Sequence, residues 1–123
     1  MAELAELIPD RPAKTTFHCC AAPGIVEGLA SRGVRHVTLV GIEAHVCVAQ
    51  TALELLRRGY VVQVPADAVG SRFAVDEELA LRRLERAGAV VSSTESALFE
   101  WTEGAEHPRF KEISALVKER PAE

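Results

Sequence analysis

The chain has 123 residues and a mass of 13.3 kDa, with 48% hydrophobic residues, 26% charged residues and a formal net charge of -4. That length suits one domain over 1–123, and that balance excludes a disordered tail. No apolar run approaches the roughly 20 residues of a membrane span, and no basic stripe suggests a nucleic-acid partner. The acidic start, with Glu3 and Glu6, does not look like a leader, so a cytoplasmic protein with no membrane contact is expected. Three cysteines, Cys19, Cys20 and Cys47, cannot all pair within one chain, and they read as reduced thiols.

Lysine is scarce. Eleven of the cations are Arg, and only Lys14, Lys111 and Lys118 are Lys, which singles out Lys14 in the early segment. Pro23 is placed to open a helix running to Ser31. A short β-branched run, Val37 to Val40, follows Gly33 and predicts the first strand. Gly41-Ile42-Glu43-Ala44-His45-Val46-Cys47 then turns into a helix with an apolar stripe of Ala49, Ala52, Leu53 and Leu56. Gly59 should stop that helix before a second strand, Tyr60 to Val64. A helix over 75–87, with Val75, Leu79 and Leu84 inward, reaches Gly88 and a third strand, Ala89 to Val91. Pro108 should open a last helix that buries Phe110, Ile113 and Val117.

The repeated helix, glycine and strand predict an α/β fold with three parallel strands, the last two apolar almost throughout because both faces are covered. The first strand then has an open edge, a hazard that folded proteins usually cover: either another chain covers it, a physical reason to expect a homo-oligomer, or the sequence is the back part of a longer domain. Cys47 falls at the carboxyl end of the first strand, where a parallel sheet forms its ligand crevice, and at a helix N-terminus, which favours a thiolate. As a plain alternative, Cys47 is a small buried apolar residue between Val46 and Val48.

The run Gly41-Ile42-Glu43-Ala44-His45-Val46-Cys47-Val48-Ala49-Gln50-Thr51-Ala52-Leu53, with Ala66-Asp67-Ala68-Val69-Gly70-Ser71-Arg72, resembles the isochorismatase-like cysteine hydrolases. The closing runs Ser93 to Glu100 and His107 to Lys111 resemble the small metal-free isochorismatase-domain branch. The resemblance implies a three-layer α-β-α Rossmann-like fold and a small-molecule substrate, with no cofactor and no metal. It further implies that Cys47 is the nucleophile and that Lys14 is its ammonium partner. The Ile42–Glu43 peptide bond is then cis, with the Glu43 and Cys47 N–H groups aimed at an oxyanion. His45 and Phe17 become substrate-binding residues on the pocket wall.

The family triad also has an Asp on an upstream strand that this sequence does not show. Only Asp10 precedes Lys14, in the proline-bounded loop Ile8-Pro9-Asp10-Arg11-Pro12. The expectation is therefore an N-terminally incomplete domain. Two functions follow: a cysteine hydrolase for a small amide, imide, ester or vinyl ether, or an inactive family remnant serving binding or oligomerisation.

The remaining readings are weaker. Asp67 reads as a loop carboxylate accepting N–H bonds from the Val69–Ser71 turn, or as a replacement for the missing Asp. His45 could instead pair with Cys47. His18, Cys20, His45 and Cys47 could imitate a zinc site. Arg72 reads as an anchor of the Gly70–Ser71 turn, and Trp101 as helix packing or a subunit contact.

Overall fold

In the computed structural model the described residues are 2–119. Helices α1 (Ala2–Leu7) and α2 (Ile25–Ser31) come first, then strands β1 (His36–Thr38) and β2 (Gly41–Ile42). A wide turn, Ala44–Val48, runs into α3 (Ala49–Arg57). There follow β3 (Val61–Pro65), β4 (Val69–Gly70), α4 (Ala74–Arg86), β5 (Val90–Ser92), α5 (Thr94–Thr102) and α6 (Phe110–Lys118).

The main sheet has the order β1-β3-β5, parallel throughout, with His36 opposite Val61 and Gln63 opposite Val90. Successive side chains of a strand point to opposite faces. Val62 and Val64 therefore share one face, where they are buried with Leu55 of α3 and Leu84 of α4. Gln63 points to the other face, and its Nε2 donates to Glu100 Oε2 of α5 at 2.9 Å. Helices thus cover both faces, and α6 stacks on α5 through Phe99 and Phe110, whose ring centroids are 6.3 Å apart. The second face is covered only in part. Val61 and Val90 stay about half exposed there, beside Trp101 on α5.

Each glycine read as a helix stop has positive φ: Gly33 (+65°), Gly59 (+85°) and Gly88 (+102°). The next residue then donates back into the helix, as Tyr60 N–H does to Leu55 C=O and Ala89 N–H to Leu84 C=O. This closure satisfies the last carbonyls and turns the chain straight into a strand. On α3, Arg57 and Arg58 both donate to Glu54, and the Arg57 bond above all holds that carboxyl down to about 2.

Several expectations are corrected. The first helix after Lys14 begins at Ile25, with Gly24 before it at φ +80°, so Pro23 lies outside. β1 stops at Thr38, because the chain swings away to pair Gly41 with Val69 and Ile42 with Gly70 in a separate two-strand ladder. On α4 the buried side chains are Ala80 and Leu84, while Val75 and Leu79 are exposed. The small Ala80 side chain lets the helix lie close to its neighbours. On α3, Ala49 and Ala52 are buried as expected, but the large buried side chain is Leu55, and Leu53 and Leu56 are only half-buried. Phe110, Ile113 and Val117 of α6 are likewise half-buried.

Candidate active site

The site begins where β1 runs out. Gly41 takes φ +113° as the first residue of β2, which is held by its ladder to β4. The Ile42–Glu43 peptide bond is cis. The chain then makes one wide helical turn in which Val46 and Val48 N–H both donate to the Glu43 carbonyl, at 3.1 and 3.3 Å. In a regular α-helix that carbonyl would accept from Cys47 N–H. Cys47 therefore sits in a widened turn ahead of α3, rather than in its first turn.

Lys14 arrives from the irregular stretch before α2. Its Nζ donates to the Phe17 carbonyl at 2.7 Å and the Thr16 carbonyl at 2.9 Å, and it lies 3.9 Å from Cys47 Sγ. The amine is therefore pinned by two backbone oxygens of its own loop. Thr51 fastens that loop to the turn: its hydroxyl donates to Cys47 C=O at 2.7 Å and accepts Cys19 N–H at 2.9 Å. Thr51 is buried, and sequence reasoning missed it. Its only signal was a hydroxyl beside the apolar stripe of α3. Thr51→Val keeps the shape but leaves a part-buried N–H unpaired, so it should lower unfolding stability by about 1–3 kcal/mol in urea titration. A loss below about 0.5 kcal/mol would mean that water replaces the hydroxyl.

Around the sulfur lies a cavity of about 170 Å³, lined by Lys14, Cys19, Leu39, Val40, Ile42, Cys47, Val48 and Thr51. It holds one cation, one thiol at the turn and mostly apolar walls. The three thiols differ in setting. Cys20 is buried, and burial pushes its thiol up. Cys19 and Cys47 are both half-buried.

His45 does not turn toward Cys47. Its Nδ1 lies 2.9 Å from Ser71 Oγ and 3.7 Å from Glu43 Oε2, and its Nε2 lies 3.9 Å from Asp76 Oδ2. Phe17 is an exposed residue (59%) and contributes its carbonyl to Lys14. Asp67 accepts from both Thr94 N–H (2.7 Å) and Thr94 Oγ1 (2.9 Å) at the start of α5. This loop carboxylate thus holds the start of α5. Arg72 contributes its backbone N–H, which Glu43 Oε2 accepts at 3.0 Å. Asp10 is exposed on its loop. Among the described residues, no three His, Cys, Asp or Glu side chains gather as metal ligands, so His18, Cys20, His45 and Cys47 do not form one.

The isochorismatase domain family matches residues 1–96. Isochorismatase domain-containing protein 2 from Bos taurus is 45% identical over 107 residues, covering 86% of this chain and 52% of the relative. Isochorismatase domain-containing protein 1 from Danio rerio is 48% identical over 86 residues, 70% of this chain and 30% of the relative. Among solved structures, a MAR1 ribonuclease from Caenorhabditis elegans superposes with a TM-score of 0.82 at 41% identity, covering 89% of this chain and 56% of that one. A nicotinamidase from Staphylococcus aureus superposes with a TM-score of 0.67 at 29% identity, over 74% of this chain and 60% of that one. The chain spans about a third to a half of the length of these curated relatives. Family match, relatives and three-layer parallel fold agree: this chain belongs to the isochorismatase-like family.

Proposed function

We propose that the chain carries the nucleophile half of a cysteine hydrolase acting on a small amide, imide, ester or vinyl-ether-type substrate. The observation that carries this reading is Lys14 Nζ standing 3.9 Å from Cys47 Sγ beside the cis Ile42–Glu43 turn. An ammonium beside a sulfur favours the thiolate, which is the attacking form. On an amide, imide or ester substrate the sulfur lone pair would attack the carbonyl carbon while the C=O π electrons move to oxygen. Collapse of that oxyanion would expel the leaving group with its bonding pair, to be protonated by solvent. Water would then cleave the thioester, releasing the acid and regenerating the thiol. The Glu43 and Cys47 N–H groups are the proposed oxyanion donors.

The small, largely apolar cavity supports a compact acyl group. The name of the worm relative points to RNA, but here the cavity offers a single cation on a chain of net charge -4, a poor match for a phosphate backbone.

A second reading, a family remnant that binds without turnover, draws on the partners of Lys14. They are two carbonyls and a sulfur, and among the described residues no carboxylate pairs with it. One experiment separates the two. Iodoacetamide alkylation, mapped by peptide mass spectrometry, should label Cys47 at least tenfold faster than Cys19 or Cys20 at pH 7. Steady p-nitrophenyl acetate hydrolysis beyond one equivalent marks a hydrolase, and a single burst marks a remnant. Equal labelling of all three thiols would remove the nucleophile assignment.

A further inference from the structure

The side chains of Glu43 and His45 are attached to the catalytic turn, yet both are engaged with a different loop. Glu43 Oε2 accepts Arg72 N–H at 3.0 Å, and His45 Nδ1 lies 2.9 Å from Ser71 Oγ. The Ser71–Arg72 loop is itself tied down, because Ser71 N–H donates to Glu77 Oε2 of α4 at 3.1 Å. Immediately before it, β4 forms the short ladder with β2, Gly41 against Val69 and Ile42 against Gly70. The segment holding the cis bond is therefore fastened by backbone pairing on one side and by two side chains on the other. We propose that Glu43 and His45 are positioning residues, clamping the Gly41–Cys47 turn to the Ser71–Arg72 loop and so fixing the direction of the Glu43 and Cys47 N–H groups.

The catalytic part of this inference rests on Cys47 as nucleophile, but the clamp itself does not. A backbone donor is useful only when held at the position where charge develops, and small displacements weaken it steeply. The Glu43 carbonyl collects the Val46 and Val48 N–H groups. Releasing the Glu43 side chain thus frees the residue around which the turn is wound. Asp76 Oδ2, 3.9 Å from His45 Nε2, adds a second anchor from α4.

The test compares the full chain with Glu43→Ala, Glu43→Gln and Ser71→Ala. In Glu43→Ala, hydrogen exchange at the Val46, Val48 and Arg72 amides should rise at least tenfold, while α3 amides such as Leu55 keep their rates. In Glu43→Gln the amide oxygen can accept the same Arg72 N–H, and most of the protection should return. Ser71→Ala should give a smaller rise, because only the His45 arm is lost. Acylation by p-nitrophenyl acetate should fall at least tenfold in Glu43→Ala and recover largely in Glu43→Gln. Alkylation by iodoacetamide, which displaces iodide without building an oxyanion, should stay within twofold.

Unchanged exchange in Glu43→Ala, equal damage from Gln and Ala, or parallel falls in acylation and alkylation would each overturn the clamp. If the parent chain is not acylated at all while the exchange pattern holds, the clamp stands and the hydrolase reading is the one that fails.

Discussion

Lys14→Met is expected to slow alkylation of Cys47 at pH 7 by roughly five- to thirtyfold, and Cys47→Ser to abolish ester hydrolysis. The methionine keeps the length of the stem and removes the charge that stands 3.9 Å from the sulfur. At about 4 Å a unit charge pair is worth about 1 kcal/mol in water and about 4 kcal/mol in a partly shielded site. Lys14 is exposed, so the lower end applies, about 1–2 kcal/mol, which is the stated range in rate. Exposure also makes the effect sensitive to salt: at about 1 M ionic strength most of the difference between parent and variant should vanish. Cys20 is the internal control, since burial raises its thiol, and it should react equally slowly in both proteins. Should Lys14→Met alkylate at the parent rate in low salt, the ammonium does not support the thiolate, and the catalytic reading loses its basis.

Leu84→Ala is expected to remove about 3 kcal/mol of stability, within the 2–5 kcal/mol usual for a buried leucine. Leu84 has no exposed surface and packs into the buried cluster that joins α3, α4 and β3. Its backbone carbonyl also accepts Ala89 N–H at the α4 stop, so the residue stands at the joint between helix and strand. Leu79, on the same helix and 55% exposed, is the matched comparison: Leu79→Ala should change stability by less than about 0.5 kcal/mol. Urea titrations of both variants test the pair together. Equal losses would mean that the stripe read from the sequence, with Leu79 inside, is the true buried face.

Gly33, Gly59 and Gly88 marked the helix stops because positive φ strongly favours glycine, and β-branched runs behind them marked strands. The central strand and its flanking helices were legible for that reason. The stripe on α4 was misread because Ala80 contributes little apolar surface to a pattern, yet a small side chain is what permits close packing. The β2–β4 ladder is two residues on each side, too short to leave any periodicity.

At the site, Cys47 and Lys14 were legible by type and by resemblance. Thr51 was not, because a hydroxyl that bridges an N–H and a carbonyl from positions 19 and 47 has no local signature. The same holds for the Glu43 side chain, whose acceptor role depends on Arg72, 29 positions away.

The outer rim of β1 has no neighbour among the described residues, and the Cys47 crevice opens at that strand's carboxyl end. A twofold copy pairing rim to rim would run its own β1 the opposite way, placing the two crevices at opposite ends of the joined sheet. A carboxylate delivered to Lys14 along this rim from a strand's final residues must therefore ride on a parallel strand. The equivalent β1 of a symmetric mate has the wrong polarity to bring it.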